Sequence, residues 1–315
     1  MSISLRYSLT IGSLQSQRGV FSPLLRSKLW SARPSARLLF GTCLPNALYR
    51  TTMSGTKYTH GYGEAVLSNH RGRTAYNSAD YLLPFLNKDL HLLDIGSGAG
   101  TITCDFAGLV GRVTALEVSE EALAVTRTEA ERRGVHMSYC VGDIHALPFA
   151  DNTFDVVHVH QVLQHVSDRA AAMKEMRRVV KPQGIVACRE SVYSAFTAYP
   201  NDKGLDDWKT LYMDIVRSNG GEPDSGAMLL DWALQAGFTD VTPGIYTWCF
   251  ATPETRQHWG GMWEKRILNS NIADQARSRG VSENELKGIS MAWRKWKDTP
   301  CGWYMVPHSH IIARK

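Results

Sequence analysis

No Asp or Glu occurs in the first 53 residues of this 315-residue chain, although Arg and Lys occur there seven times, from Arg6 to Arg50. The formal net charge of the whole chain is +5. The leader accounts for more than all of it, so the remainder is slightly acidic. A near-neutral body lacks the positive surface that sequence-independent binding to nucleic acid requires. Long apolar runs are missing too, and none approaches the ~20 residues that span a bilayer. The six cysteines stand apart, at 43, 104, 140, 188, 249 and 301, with no CxxC pair. That spacing offers neither a disulfide framework nor a metal site, and fits thiols kept reduced inside a cell. Internal repeats and low-complexity tracts are absent as well.

Strands and helices alternate through the middle of the chain. An apolar run, Leu92-Leu93-Asp94-Ile95, ends in Gly96-Ser97-Gly98-Ala99-Gly100 and a helix-compatible Thr101. This reads as a buried strand, a tight turn and a helix start. Helices are predicted over 74–86, 101–109, 120–133 and 168–180, with strands over 112–117, 137–141, 154–160 and 185–189. Short connections between alternating elements argue for a parallel sheet covered on both faces. Right-handed crossovers then bring every strand's C-terminal end to one edge. Beyond 191 the pattern loosens, to a helix over 229–236, a strand over 241–248, mostly helical polar sequence over 252–298 and a last strand over 303–312. Eight of the nine tryptophans fall in this half, from Trp208 to Trp303. Packing in the core accounts for most of them; a flat, apolar acceptor pocket is the other use such side chains suit.

Three acids close three successive strands: Asp94, Glu117 and Asp143. With the glycines they form a binding edge suited to a nucleoside. A dinucleotide site also uses glycines after its first strand and an acid after its second. Its third small residue would fall at 101, where the chain has Thr101. The NAD-dependent oxidoreductase alternative is therefore the weaker reading.

Taken together, Asp94 to Gly100, Glu117, Gly142-Asp143 with Leu147-Pro148-Phe149, Phe154 to Val157 and Arg177 to Gly184 resemble the class I S-adenosylmethionine-dependent methyltransferases, in their UbiE-like, quinone-biosynthesis branch. The resemblance covers residues 58–190. It implies an α/β Rossmann-like fold: a seven-stranded, mostly parallel sheet of order 3-2-1-4-5-7-6, with a helical C-terminal insertion covering the acceptor site. On that reading residues 1–53 are a leader and 54–315 the methyltransferase domain. Within it, 54–90 is an N-terminal cap, 91–190 the cofactor-binding core and 191–315 the cover and last strands.

The cofactor implied is S-adenosyl-L-methionine. Glu117 would accept from the ribose hydroxyls with Val118 against the adenine, while Asp143 would accept the adenine amine with Ile144 beside the ring. The backbone of Gly96, Ser97, Gly98 and Gly100 would meet the amino-acid and sugar portions. Asp94 would orient the turn or attract the ligand's ammonium. Gln161 follows the fourth strand, and Tyr58 and Tyr62 resemble aromatics that close over the methionine end, where cation–π attraction helps. Methyl transfer asks mainly for alignment and a dry site. Where a base is needed, His160 at the end of the fourth strand is the first candidate and His165 the next, with Glu190 and Tyr193 nearby and His158 more suited to a core role. No metal is implied. His160-Gln161-Val162-Leu163 differs from the Asn/Asp-Pro-Pro-Tyr/Phe pattern of amino-group methyltransferases. The acceptor expected is therefore a small apolar or aromatic metabolite, with a mitochondrial quinone ring as one alternative and a catalytically silent cofactor-binding partner as another.

The Arg- and Ser-rich, acid-free leader has the composition of a mitochondrial transit segment. It predicts the mitochondrial matrix, or the cytoplasm if translation starts at Met53. A fusion of residues 1–53 to a fluorescent protein should enter mitochondria, and a wholly cytosolic signal would contradict that reading.

Overall fold

The structure is a computed structural model and describes residues 72–315. The leader and Tyr58, Tyr62 and the rest of 54–71 lie outside the described residues. The first strands and helices are β1 (His91–Ile95), α2 (Thr101–Leu109), β2 (Arg112–Glu117), α3 (Glu120–Arg133), β3 (Ser138–Val141), β4 (Phe154–His160), α4 (Arg169–Val179) and β5 (Val180–Ser191), preceded by the short α1 (Ala75–Ser78). After them come β6 (Thr197–Tyr199), α5 (Lys203–Ser218), α6 (Ser225–Gln235), β7 (Asp240–Phe250), α7 (Pro253–Arg266), α8 (Asn271–Ser278), α9 (Glu283–Asp298) and β8 (Trp303–Arg314). Local chemistry sets several of these boundaries. Ser119 caps α3 by accepting from the Ala122 N–H, Glu120 and Glu121 occupy its first turn, and Gly134 ends it at a φ of 64°.

β3, β2, β1, β4 and β5 are parallel, and β8 runs antiparallel to β5. β7 pairs with β8 on its other edge. This is the mostly parallel Rossmann-like sheet with helices on both faces. The sheet has eight strands rather than seven, because the short β6 pairs with the start of β8. Without β6 the order is the expected 3-2-1-4-5-7-6.

Two other expectations need correction. The helix over 74–86 is broken into α1 and a 3-10 turn at Leu83–Phe85. Pro84 explains the break: it has no N–H to give and its ring would strike the carbonyl four residues back. The irregular stretch after 191 also contains α5, a sixteen-residue helix. Its apolar side chains face a second core rather than the sheet, so strand–helix alternation gave no sign of it.

That second core holds most of the tryptophans. Trp208, Trp263, Trp293 and Trp296 are all at most 2% exposed. They pack edge to face, with Trp208 4.5 Å from Trp263 and 5.1 Å from Trp293 between ring centroids. These rings fill the interior of the α5, α7, α8 and α9 layer. Trp232 is buried in the main core instead, Trp303 is half-buried on β8, and Trp248 is half-buried on β7 beside the strand ends. A Trp293→Ala substitution is expected to lower unfolding free energy by about 3–5 kcal/mol in a urea titration. A loss under about 1 kcal/mol would contradict an interior packing role.

Candidate active site

β8 pairs with β5 only from His308 to Arg314. Its first residues, still paired with the end of β7, run past the C-terminal end of β5. The β7–β8 ribbon thus overhangs the edge where β1, β2 and β4 also end. The glycine loop and the overhang flank this edge on two sides.

On the loop side, Gly96, Gly98 and Gly100 all have positive φ, at 72°, 55° and 77°. At Gly100 a Cβ would also meet the Cα of Thr126 at 2.9 Å, so α3 can approach only a glycine there. Ser97 Oγ bonds Thr126 Oγ1 at 2.8 Å and Thr126 donates to the Gly98 carbonyl at 3.1 Å, which ties the loop to α3.

Glu117 is buried at the end of β2. Its Oε1 accepts from the Gly98 N–H at 2.7 Å and its Oε2 from the Val118 N–H at 3.2 Å. Burial raises its carboxyl above the ordinary range, with those two N–H groups opposing. Each oxygen retains a further lone pair for a ligand hydroxyl. Val118 beside it is 51% exposed, an apolar face open to a ring. Asp143 is held by His145, whose backbone N–H (2.9 Å) and Nδ1 (2.7 Å) both bond Oδ1. Ile144, by contrast, is buried in the main core with Leu116, Leu147 and Leu163, so Val118 supplies the exposed apolar surface.

Asp94 bonds two side chains of the protein. Its Oδ2 accepts from Thr103 Oγ1 at 2.5 Å and its Oδ1 bonds His158 Nδ1 at 2.7 Å. Both oxygens are engaged inside the protein, in a buried bridge joining β1, β4 and α2. His158 is fully buried, as its core role required.

The overhang side continues from His158 along one face of the sheet. Cross-strand register places His160 opposite Arg189, and Arg189 opposite His310; the next row is Ser191, His308 and Tyr246. Arg189 is wholly buried, bonded to Asp80 at 2.6 Å and sandwiched between Tyr81 and Tyr246 at 4.7 and 4.5 Å. This clamp and the Trp248 N–H both reach the Asn77 carbonyl, fastening the α1 segment over the face.

His160 is 8% exposed, and neither ring nitrogen has a hydrogen-bond partner among the described residues. Burial first, then Arg73, His158, His308 and Arg189, push it well below its ordinary range, so it is neutral near pH 7. Gln161 adopts a φ of 56°, a strained setting for a non-glycine residue. Its Nε2 lies 3.0 Å from Ser191 Oγ and 2.8 Å from His308 Nε2. His165 is half-buried one turn on, brought down to about 3 by burial, Arg73 and Arg169. Glu190 faces away from the overhang: Val162 and Leu163 donate their N–H groups to its Oε1 at 2.8 and 2.7 Å. It caps the turn that follows β4.

Sequence reasoning missed Arg73, Ser191, Trp248 and His308 as neighbours of His160. Ser191, Trp248 and His308 approach because β8 pairs with β5 across more than a hundred residues and with β7 across more than fifty, and Arg73 joins them from the segment ahead of α1; the alternation of His308 and His310 along β8 was the one local sign. A groove of about 690 Å³ between α5 and α9, lined in part by Asp202, Asp207, Lys203 and Lys295, shares no residue with this site.

The Methyltransferase domain family matches residues 93–188. An uncharacterized methyltransferase of Schizosaccharomyces pombe is 33% identical over 274 residues, covering 82% of this chain and 96% of its own. A probable methyltransferase of Aspergillus luteorubrus is 28% identical, covering 84% and 99% respectively. A ubiquinone/menaquinone biosynthesis C-methyltransferase of Shewanella is 37% identical over 179 residues, half of this chain and 71% of its own length. The fold also resembles a solved Bacillus subtilis protein, with a TM-score of 0.52, 17% identity and coverage of 76% of this chain and 99% of that one.

Glu190 makes stability depend on pH. Burial pushes its carboxyl up to about 8, with its backbone donors and Arg73 opposing. The unfolded chain ionises the same group near 4.3. Between those values the folded state holds a proton that the unfolded state has lost, so this contribution falls as pH rises from about 5 to 8 and then levels off. Glu190→Gln keeps an oxygen for Val162 and Leu163 but cannot ionise. Its stability relative to wild type should increase steadily from pH 5 to 8 in denaturant titrations; parallel pH profiles would contradict the assignment.

Proposed function

The chain belongs to the S-adenosylmethionine-dependent methyltransferases, and we propose that it methylates a small aromatic metabolite bound between the glycine loop and the β7–β8 overhang. The observation that carries this reading is His160: a buried imidazole whose two nitrogens have no partner among the described residues, in a strand-end site. Leaving such a group unsatisfied costs about 1–3 kcal/mol, a cost that an acceptor's hydroxyl or ring substituent would relieve.

The cofactor fits the residues present. Glu117 would hold the ribose hydroxyls, Val118 would lie against the adenine, and Asp143, steadied through Oδ1 by His145, would present Oδ2 to the adenine amine. The backbone of Gly96 to Gly100 would meet the sugar and amino-acid portions. Asp94 is a positioning residue, fixing His158 and α2 rather than touching the ligand. When bound, S-adenosylmethionine supplies a methyl group on a positively charged sulfur that departs as a neutral thioether. His160 is neutral, so a ring nitrogen can accept a hydrogen bond from the acceptor's nucleophilic atom and orient it toward the methyl group, with the proton leaving as the new bond forms. Trp248 and the helices behind it exclude water from the acceptor side.

The acceptor class rests on the aromatic and histidine lining. The partial likeness to a quinone C-methyltransferase supports a quinone ring as the second reading, and the leader composition would place that chemistry in mitochondria. A near-neutral body favours a small molecule over nucleic acid as acceptor, and no helix among the described residues is long and apolar enough to cross a membrane.

Two variants separate the halves of the site. Glu117→Ala removes charged hydrogen bonds worth about 1.5–3 kcal/mol, so calorimetric affinity for S-adenosylhomocysteine should drop roughly 10–150-fold. His160→Ala should keep that affinity and lose about 10²–10⁴ in the methyl-transfer rate. Unchanged affinity in folded Glu117→Ala would remove the ribose assignment. Tight NADH binding by the wild type would replace the family reading of the site.

A further inference from the structure

The methyl-transfer reading makes no use of the backbone setting of Gln161. Its φ of 56° lies in the left-handed region, which residues with long side chains rarely adopt. Its N–H still bonds the Arg189 carbonyl at 2.9 Å, as a strand residue's would. Had β4 continued in register, Gln161 would stand opposite Glu190 and share its face of the sheet. Glu190 points away from the overhang, to the N–H groups of Val162 and Leu163. The left-handed turn carries the Gln161 side chain to the other face, where Ser191 and His308 are paired.

There the carboxamide is held at two points. Its Nε2 lies 3.0 Å from Ser191 Oγ and 2.8 Å from His308 Nε2, and both partners are buried. Burial, then Arg189 and Arg73, bring His308 down to about 3, so its ring is neutral and Nε2 can accept. The two amide hydrogens are spent on this wall. The amide oxygen has no partner among the described residues and is turned away from Ser191 and His308. His308 is also 4.3 Å from the Trp248 ring, which is 6.3 Å from His160. The fixed amide and the His160 imidazole thus border one indole.

We propose that Gln161 determines which acceptor is taken: its amide oxygen accepts a hydrogen bond from a second donor on the acceptor's ring, beside the nucleophilic atom that His160 meets. His160 and Gln161 are consecutive, with Cα atoms about 3.8 Å apart, so the two donors belong on neighbouring ring atoms. The acceptor class is an aromatic ring with vicinal hydroxyl or amino groups, lying along Trp248. A site built to pair a donor rejects an analogue lacking it, because its own acceptor atom is then left without a hydrogen bond. Anchoring by Ser191 and His308 also leaves the amide little freedom to lose when the ligand binds. Gln161 makes and breaks no bond in the transfer. This inference narrows the acceptor class of the proposed methyl transfer and rests on that reading.

The test uses matched probes on the full chain. Naphthalene-2,3-diol is compared with 3-fluoro-2-naphthol, and catechol with 2-fluorophenol; fluorine nearly keeps the size of the hydroxyl but cannot donate. Binding is titrated in saturating S-adenosylhomocysteine, whose own binding is measured first and stands as the separate check on the cofactor reading. The wild type is expected to bind at least one diol about tenfold or more tightly than its fluoro analogue. Gln161→Gly, which adopts the left-handed φ freely, and Gln161→Met, which keeps the bulk of the side chain, should both abolish that preference with affinity for S-adenosylhomocysteine unchanged. Equal binding of diols and fluoro analogues by the wild type, or binding of neither, overturns the proposal without any variant. A preference that survives in Gln161→Gly overturns the role of Gln161, as does a fall in S-adenosylhomocysteine affinity there, which would move this side chain to the cofactor.

Discussion

The site depends on a mismatch of length. β8 is longer than its paired stretch of β5, so its first residues continue beyond the sheet edge and take the end of β7 with them. Antiparallel pairing makes this possible: a strand returning against the parallel set begins at the edge where the others finish. The overhang carries Trp248 past His160 and gives the aromatic layer of α5, α7, α8 and α9 a backbone to pack on. Without it the glycine loop and three strand-end acids would form an open cofactor shelf with no wall for an acceptor.

Buried charge then fixes the N-terminal segment to this wall. Arg189, bonded to Asp80 and held between two tyrosine rings, cannot be separated from its partners without leaving a cation in a dry interior. Asp94 works similarly deeper in the sheet, where Thr103 and His158 engage both its oxygens. The two bridges keep one face of the sheet polar and ordered. His160 lies between them with no partner for its nitrogens among the described residues, so the flanking residues are fixed while the proposed acceptor-facing group stays available.

What the sequence made legible follows the range of the interactions. The bounds of α2, α3, β2 and β4 could be read to the residue because glycines, caps and apolar runs act within a few positions. The order of the parallel strands followed from alternation and handedness. Pro84 was in plain view yet was outvoted by the leucine spacing around it. Asp94 could be placed at a strand end, but which partner it meets depends on β1 and β4 lying side by side. Trp248 and His308 come together only through the long β7–β8 pairing, and Arg73 reaches Trp248 from the segment ahead of α1. Most of the tryptophans proved to be interior, since four helices and a ribbon need a core of their own.

The account makes one central claim, that the glycine loop and the overhang enclose a single site with the cofactor on one side and His160 on the other. A crystal structure of the full chain with S-adenosylhomocysteine tests it directly. The account predicts density along Gly96 to Gly100, ribose hydroxyls at the Glu117 carboxylate, and the sulfur turned toward His160 and Trp248. Density in the groove between α5 and α9, or a sulfur turned away from the overhang, would contradict it.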